Sequence, residues 1–133
     1  HLSIRRQRQM CIRDRIYGKH YLFNVVTEKV GTPGAVLIRA LQPVLGIEFM
    51  RKRRASEDVT ALTTGPGNLT QALGITGEHN RMDLTGNLVW IEPYTTGEIH
   101  SSPRIGVKDR QNLRFFIKGN KFVSRQYDSI LED

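Results

Sequence analysis

The stretch His20–Val26, "HYLFNVV", concentrates aromatic and aliphatic side chains in seven residues and reads as a β-strand. The next segment, "TEKVGTPG" (27–34), carries two glycines and a proline and reads as a loop. "AVLIRALQP" (35–43) has too many consecutive apolar residues for a one-sided surface strand. It is expected to be a largely buried strand, ended by Pro43 and antiparallel to the first. "GIEFMRKRR" (46–54) reads as a short helix whose basic end suits the negative pole of the helix dipole. "ASEDVTALTTG" starts as a loop. "TTGPGNLTQALGI" (63–75) is a stronger helix pattern: Pro66 falls in the first turn, Leu69, Ala72 and Leu73 share a face, and Gly74 follows the end. "NLVWIEP" (87–93), "PRIGVK" (103–108) and "RFFIKG" (114–119) read as strands between turn residues, and the terminal "SILED" as frayed. Strands on both sides of the helices, with no regular βαβ alternation, predict a single α+β domain: a mainly antiparallel, curved sheet with a few short helices.

Residues 1–15 break this pattern. "RRQRQMCIRDR" (5–15) shows neither helical nor strand periodicity and no credible core face. It reads as a disordered basic arm or, preferably, as non-native sequence of the kind that adapter or assembly artefacts produce. The expected organisation is therefore a non-native or disordered segment over 1–15 and a structured domain over 16–133. The distinction changes the reading of charge. The chain of 133 residues carries a formal +7. Five arginines against Asp14 give residues 1–15 a net +4, leaving +3 for the rest, so the global charge is a weak argument for a polyanion partner.

Chemistry is bounded by what is scarce. Cys11 is the single cysteine, so an internal disulfide and a thiolate metal site are both excluded. His1, His20, His79 and His100 are scattered without ligand spacing, and no metal or cofactor is expected. No apolar run approaches the ~18 residues of a membrane span, and the N-terminus lacks the apolar region of a secretory signal. The expectation is a non-secreted protein without membrane contact.

Several blocks then stand in a telling order: "IYGKHYLFNVV", "AVLIRALQP", "MRKRR", "LTTGPGNLTQALGI", "DLTG", "SPRIGV" and "RFFIKGNKFVS". Together, from about Ile16 to Ser124, they resemble the alkylpurine (3-methyladenine, alkyladenine) DNA glycosylases of base excision repair. The resemblance implies a monofunctional glycosylase acting as a monomer on double-stranded DNA with damaged purines. Such an enzyme flips the base out of the stack and hydrolyses its N-glycosidic bond with an activated water, without metal or lysine adduct. It implies a wedge for Tyr17, which would fill the gap left by the flipped nucleotide, with Gly18 allowing a tight turn behind it. Asn24 would address the edge of the extruded base. Arg39 would support the catalytic centre by orienting a carboxylate or contacting phosphate. Lys118, Gly119 and Asn120 would meet the DNA backbone. The implied location is the cytoplasm or nucleoid of a bacterium, or the nucleus of a eukaryote.

The family's general-base glutamate, a pocket histidine and a further stacking tyrosine belong upstream of "IYG". The tyrosine's position holds Asp14 here, where the basic segment ends. Glu28, Glu48, Glu57, Asp58 and Glu92 lie in contexts unlike the family's motif, and Asp83 reads as a turn or cap residue. A water-activating carboxylate must reach its water within about 3 Å, directly or through one bridging water. The chain as written is thus expected to lack a catalytic residue of that kind and to have little activity. The alternative reading is a non-catalytic nucleic-acid-binding module.

Overall fold

The structure is a computed structural model that describes residues 10–14, 20–28, 31–106, 108 and 111–124. It divides into two compact units, His1–Glu92 and Pro93–Asp133, each treated by itself below. The architecture is α+β with antiparallel strands, gathered in two short, open sheets.

The first unit is organised by Tyr21–Val26 (β2). It pairs antiparallel with Met10–Asp14 (β1) on one edge and with Ala35–Leu37 (β3) on the other. Because successive side chains of a strand point to opposite faces, β2 has two distinct sides. Phe23 is buried, and Tyr21 and Val25 pack on the same core. In β1 the inward positions are Met10 and Ile12, across from Val25 and Phe23. Leu69, Ile75 and Leu84 complete this buried cluster. The far edge of β1 is occupied as well. The N–H of Met10 donates to the carbonyl of Met82 (2.9 Å), that of Arg81 to the carbonyl of Met10 (2.8 Å), and that of Ile12 to Asn80 Oδ1 (3.1 Å). The segment expected to have no core face thus supplies two of its buried residues, because alternate apolar positions are all that a strand slot requires.

Three short helices follow: Ile47–Arg54 (α1), Val59–Leu62 (α2) and Pro66–Leu73 (α3). The helix read in 63–75 forms as its local signals indicate. Pro66 stands at its start, where a missing N–H costs nothing, and Gly74 closes it at φ 69°. Leu69 and Ala72 are fully buried. Thr70 Oγ1 donates to the carbonyl of Tyr21 (2.8 Å), tying α3 to β2. Gly67 makes the approach possible, since a Cβ there would lie 2.9 Å from the Cβ of His20.

The basic end of α1 has a structural role. Arg53 donates to the carbonyl of Ala72 (3.0 Å), and Arg54 to those of Leu62 (3.1 Å) and Ala61 (3.3 Å). These carbonyls lie in the last turns of α2 and α3, where helical partners run out and a guanidinium suits the dipole. Gln71 returns a bond from Nε2 to the carbonyl of Arg53 (3.0 Å). Arg51 pairs with Glu48 on the same helix. Beneath these polar links, Met50, Leu62 and Ala72 form a second buried cluster.

The second unit contains an antiparallel pair, Ile99–Ser102 (β4) and Arg114–Ile117 (β5), with register Ile99 to Ile117 and Ser102 to Arg114. Phe122 and Ser102 are its buried side chains among the described residues.

Three strand expectations need correction. The run 35–43 keeps ladder pairing only over Ala35–Leu37, and Val36 is 52% exposed. Past Ile38 the chain leaves β2 to bond the helix connection instead: Gly65 N–H to the carbonyl of Arg39 (2.8 Å) and Leu41 N–H to that of Thr63 (3.1 Å). Residues 87–93 form no strand. They follow a tight turn in which Asp83 Oδ1 accepts from the N–H and hydroxyl of Thr85, and only the isolated bridge Thr85–Trp90 forms. The described part of 103–108 is likewise irregular, with β4 lying just before it. Pro103 lacks the N–H a ladder needs, and Gly106 sits at φ 76°. The terminal residues read as frayed lie outside the described residues.

Met10 is 1% exposed and Leu45 84% exposed. Met10→Ala is expected to lower the unfolding free energy by ~2–5 kcal/mol. Leu45→Ala should change it by no more than about 0.5 kcal/mol. Urea unfolding followed by circular dichroism distinguishes the two.

Candidate nucleic-acid interface

The pleat that buries Phe23 places Asn24 on the opposite face of β2. Asn24 stands in the middle strand, opposite Cys11 of β1 and Leu37 of β3, and is half-buried. Leu22 and Val26, also half-buried, share that face by the same alternation. The N–H of Ile38 donates to the carbonyl of Phe23 (3.0 Å), which carries the β2–β3 register one residue past the strand's end. Arg39 comes two residues after the end of β3 and is exposed. Within the first unit Asn24 therefore lies on the face of β2 opposite Phe23, and Arg39 is an exposed residue just past the β3 ladder. Tyr17 and Gly18, read as wedge and turn, lie outside the described residues.

Lys118, Gly119 and Asn120 belong to the second unit and follow β5 directly. The register of β4 and β5 extends one step beyond the strands: Lys118 N–H donates to the carbonyl of Glu98 (2.9 Å). Lys118 and Glu98 are therefore cross-strand neighbours, with Nζ 3.8 Å from Oε2. Gly119 turns the chain at φ 74°, in open space. Asn120 Oδ1 accepts the N–H of Phe122 (2.9 Å), forming the side-chain-closed turn that seats the buried Phe122. Of the three, Lys118 is the exposed cation, Gly119 supplies the turn and Asn120 holds it.

The residues sharing Lys118's face had no individual signal in the linear sequence. Alternation places Glu98, His100 and Ser102 of one arm beside Lys118, Phe116 and Arg114 of the other. His100 Nε2 lies 3.0 Å from Glu98 Oε1. A carboxylate only accepts, so this nitrogen carries the hydrogen. The imidazole meets the Phe116 ring at 6.1 Å between centroids, and the Arg114 guanidinium lies 4.6 Å above the same ring. Arg114 also donates to Ser102 Oγ (3.3 Å). The hydrogen bond from His100, and then the charge of Lys118, hold the Glu98 carboxyl below its ordinary value of 4.5. Because the folded-state value is depressed, the stabilisation from Glu98 is present above pH 4.5 and is lost as pH falls through the lower folded value. Its exposure keeps that contribution small.

Most of the acids weighed as replacement bases have local partners. Asp58 Oδ1 caps α2 through the N–H of Thr60 (3.0 Å). Asp83 closes the turn at Thr85, as its sequence context suggested. Glu48 pairs with Arg51, and Glu57 lies 3.8 Å from the same guanidinium. Glu92 Oε1 accepts from Trp90 Nε1 (2.6 Å). Glu28 is exposed in the bend after β2. A shallow hollow is lined by Thr85, Gly86, Asn87, Trp90 and Ile91, without Asn24 or Arg39. Among the described residues, no cluster of three or more His, Cys, Asp or Glu side chains could hold a metal ion, and no helix is long and apolar enough to cross a membrane.

Comparison with known proteins adds a pattern spread over both units. Residues 13–121 match the family model described as methylpurine-DNA glycosylase (MPG). A Chlorobaculum tepidum protein named "Putative 3-methyladenine DNA glycosylase" is 46% identical over 114 residues, covering 82% of this chain and 54% of its own length. Proteins of the same name from Rhodopseudomonas palustris and Methanoculleus marisnigri are 44% and 42% identical over 116 and 120 residues. These alignments cover 85% and 84% of this chain and 58% and 62% of those relatives. The chain thus spans just over half the length of the curated relatives it matches.

Substitutions at the β5 turn separate support from contact. Asn120→Ala is expected to cost about 1 kcal/mol of stability through the lost turn bond. Lys118→Ala should stay within about 0.5 kcal/mol. Thermal melts of the two variants check this.

Proposed function

Because the chain belongs to the methylpurine-DNA glycosylase family, we propose that it is part of a base-excision-repair enzyme that extrudes damaged purines from double-stranded DNA and hydrolyses their N-glycosidic bonds. The observation that carries this reading is the family match over residues 13–121, which spans the asparagine strand, the helices and the β5 turn. Chemistry on a stacked base requires extrusion, and each proposed role supplies one part of it. Tyr17 replaces the stacking that the departing nucleotide gives up, and Gly18 lets the chain turn behind it. Asn24, on the face of β2 opposite Phe23, brings an amide to the edge of the flipped base. Arg39, exposed just past β3, orients a carboxylate or holds a phosphate. Lys118 gives a charged contact to the DNA backbone, at a turn built by Gly119 and Asn120. Hydrolysis of this type needs an activated water and no metal or organic cofactor. The protein acts as a monomer wherever its DNA lies: the nucleoid or cytoplasm of a bacterium, the nucleus of a eukaryote.

The 133 residues by themselves are proposed to bind without efficient excision. The described carboxylates with assigned partners serve turns, caps and surface pairs, and Asp14 stands where the family's second stacking tyrosine is expected. Residues 1–15 are proposed to occupy the place of other family sequence, the family match beginning within this segment at residue 13. The buried positions of Met10 and Ile12 are compatible with this, because a two-edged slot selects alternating apolar side chains rather than one particular sequence.

Loss of a water-activating carboxylate removes a factor of ~10²–10⁴ in rate. Single-turnover assays on a duplex containing an alkylated purine or hypoxanthine should therefore show excision at least about 10²-fold slower than by a full-length relative. The same chain should prefer the damaged duplex over its undamaged counterpart in competition. Robust turnover would refute the proposed inactivity. Equal affinity for both duplexes would refute damage recognition and favour a generic binding module.

A further inference from the structure

One face of the β4–β5 pair carries three basic side chains, Arg114, Lys118 and His100, and a carboxylate, Glu98, whose charged partners among the described residues are His100 and Lys118. The two oxygens of that carboxylate are divided between different partners: Oε1 faces His100 Nε2 at 3.0 Å and Oε2 faces Lys118 Nζ at 3.8 Å. Phe116 lies between His100 and Arg114, and Arg114 is tethered to Ser102 Oγ and to the carbonyl of Ser124 (2.5 Å). Arg114 is thus held in place by ring and hydrogen bonds, whereas Lys118 is held chiefly by its cross-strand acid.

We propose that Glu98 is the positioning residue that sets how strongly this face binds a DNA backbone phosphate: it holds Lys118 back while His100 is neutral, and releases it when His100 becomes protonated. The proposal rests on the reading of Lys118 as a DNA contact and adds its regulation. With neutral His100, the charges of Glu98 and Lys118 cancel, so an approaching phosphate must compete with the carboxylate for the ammonium. A protonated imidazole forms a charge-assisted bond to Oε1 and balances the carboxylate itself. Lys118 then carries an uncompensated charge toward the DNA. Histidine is the side chain whose ordinary titration falls between pH 5 and 8. Glu98 stays ionised through that interval because both neighbours favour its charged form. The groups facing the carboxylate are His100 on its own arm and Lys118 on the other, with Arg114 beyond Phe116. The pair is solvent-exposed, so the effect is modest and salt-sensitive.

The test measures affinity of the 133-residue chain for a fluorescent duplex across a salt series at pH 7.5 and 5.5. Wild type, Glu98→Gln, His100→Asn and Lys118→Ala are compared. Glu98→Gln should tighten binding at pH 7.5 by about two- to five-fold, the range expected from an exposed ion pair. It should also steepen the dependence of log K on log salt by up to ~0.9, the equivalent of one further phosphate contact. Wild type should tighten on acidification, and His100→Asn should lose that share of the response. A purely structural role for Glu98 would lower the melting temperature without tightening binding. If Lys118→Ala weakens binding but Glu98→Gln binds no tighter than wild type, the inference is overturned and the DNA-contact reading stands. The inference is equally overturned if His100→Asn keeps the full pH response. If Lys118→Ala changes neither affinity nor salt slope, the DNA-contact reading falls, and the inference with it.

Discussion

Phe23 is buried only because Asn24 points the other way. The two-residue period of β2 commits Tyr21, Phe23 and Val25 to the core, leaving Leu22, Asn24 and Val26 on the opposite side. A one-residue slip would bury the amide and expose the ring, so core packing and presentation of Asn24 share a single constraint. Each neighbouring element enforces that register. β1 brings Met10 and Ile12 to the inner side, α3 covers it with Leu69, and Thr70 bonds the carbonyl at the strand's start. The orientation of Asn24, proposed to address the damaged base, is therefore set by the burial of the residue before it.

Basic residues illustrate how one residue type divides between support and contact. In α1 the guanidinium groups of Arg53 and Arg54 turn toward carbonyls at the ends of neighbouring helices, where each bond satisfies an acceptor left without a helical partner. Their positive charge suits the dipole there as well as it would suit a phosphate. Lys118 has the opposite situation. It extends from an exposed turn, and its cross-strand partner is a carboxylate in solvent rather than a buried backbone acceptor. The charge of the chain as a whole does not distinguish these roles; the nearest acceptor does.

Local signals were legible where they act locally. Pro66 and Gly74 bracket α3 because proline's fixed φ and glycine's left-handed freedom work within a single turn. β2 and β5 were legible because their composition favours a pleated, half-buried surface. The strands read at 87–93 and in the described part of 103–108 do not form: an apolar run becomes a strand only when a partner edge is available, and these runs have turns and prolines beside them instead. The far half of 35–43 left its sheet because the connection at Thr63 and Gly65 supplied competing backbone partners. At the candidate site, Asn24, Arg39 and Lys118 were singled out through their motifs. Glu98, His100 and Arg114 were not, because only the β4–β5 register makes them neighbours.

The sequence by itself determined family membership, the helix boundaries around Pro66 and Gly74, and the residue types available for chemistry: one cysteine, scattered histidines and an asparagine within an apolar strand. These follow from covalent structure and from forces reaching a few residues. Tertiary structure alone decided which face of β2 carries Asn24, that Met10 and Ile12 belong to the core, that two arginines of α1 cap other helices, and that one carboxylate lies between an imidazole and an ammonium. Each of those outcomes joins groups distant along the chain, and such contacts depend on backbone register and competition for partners, which no single stretch of sequence contains.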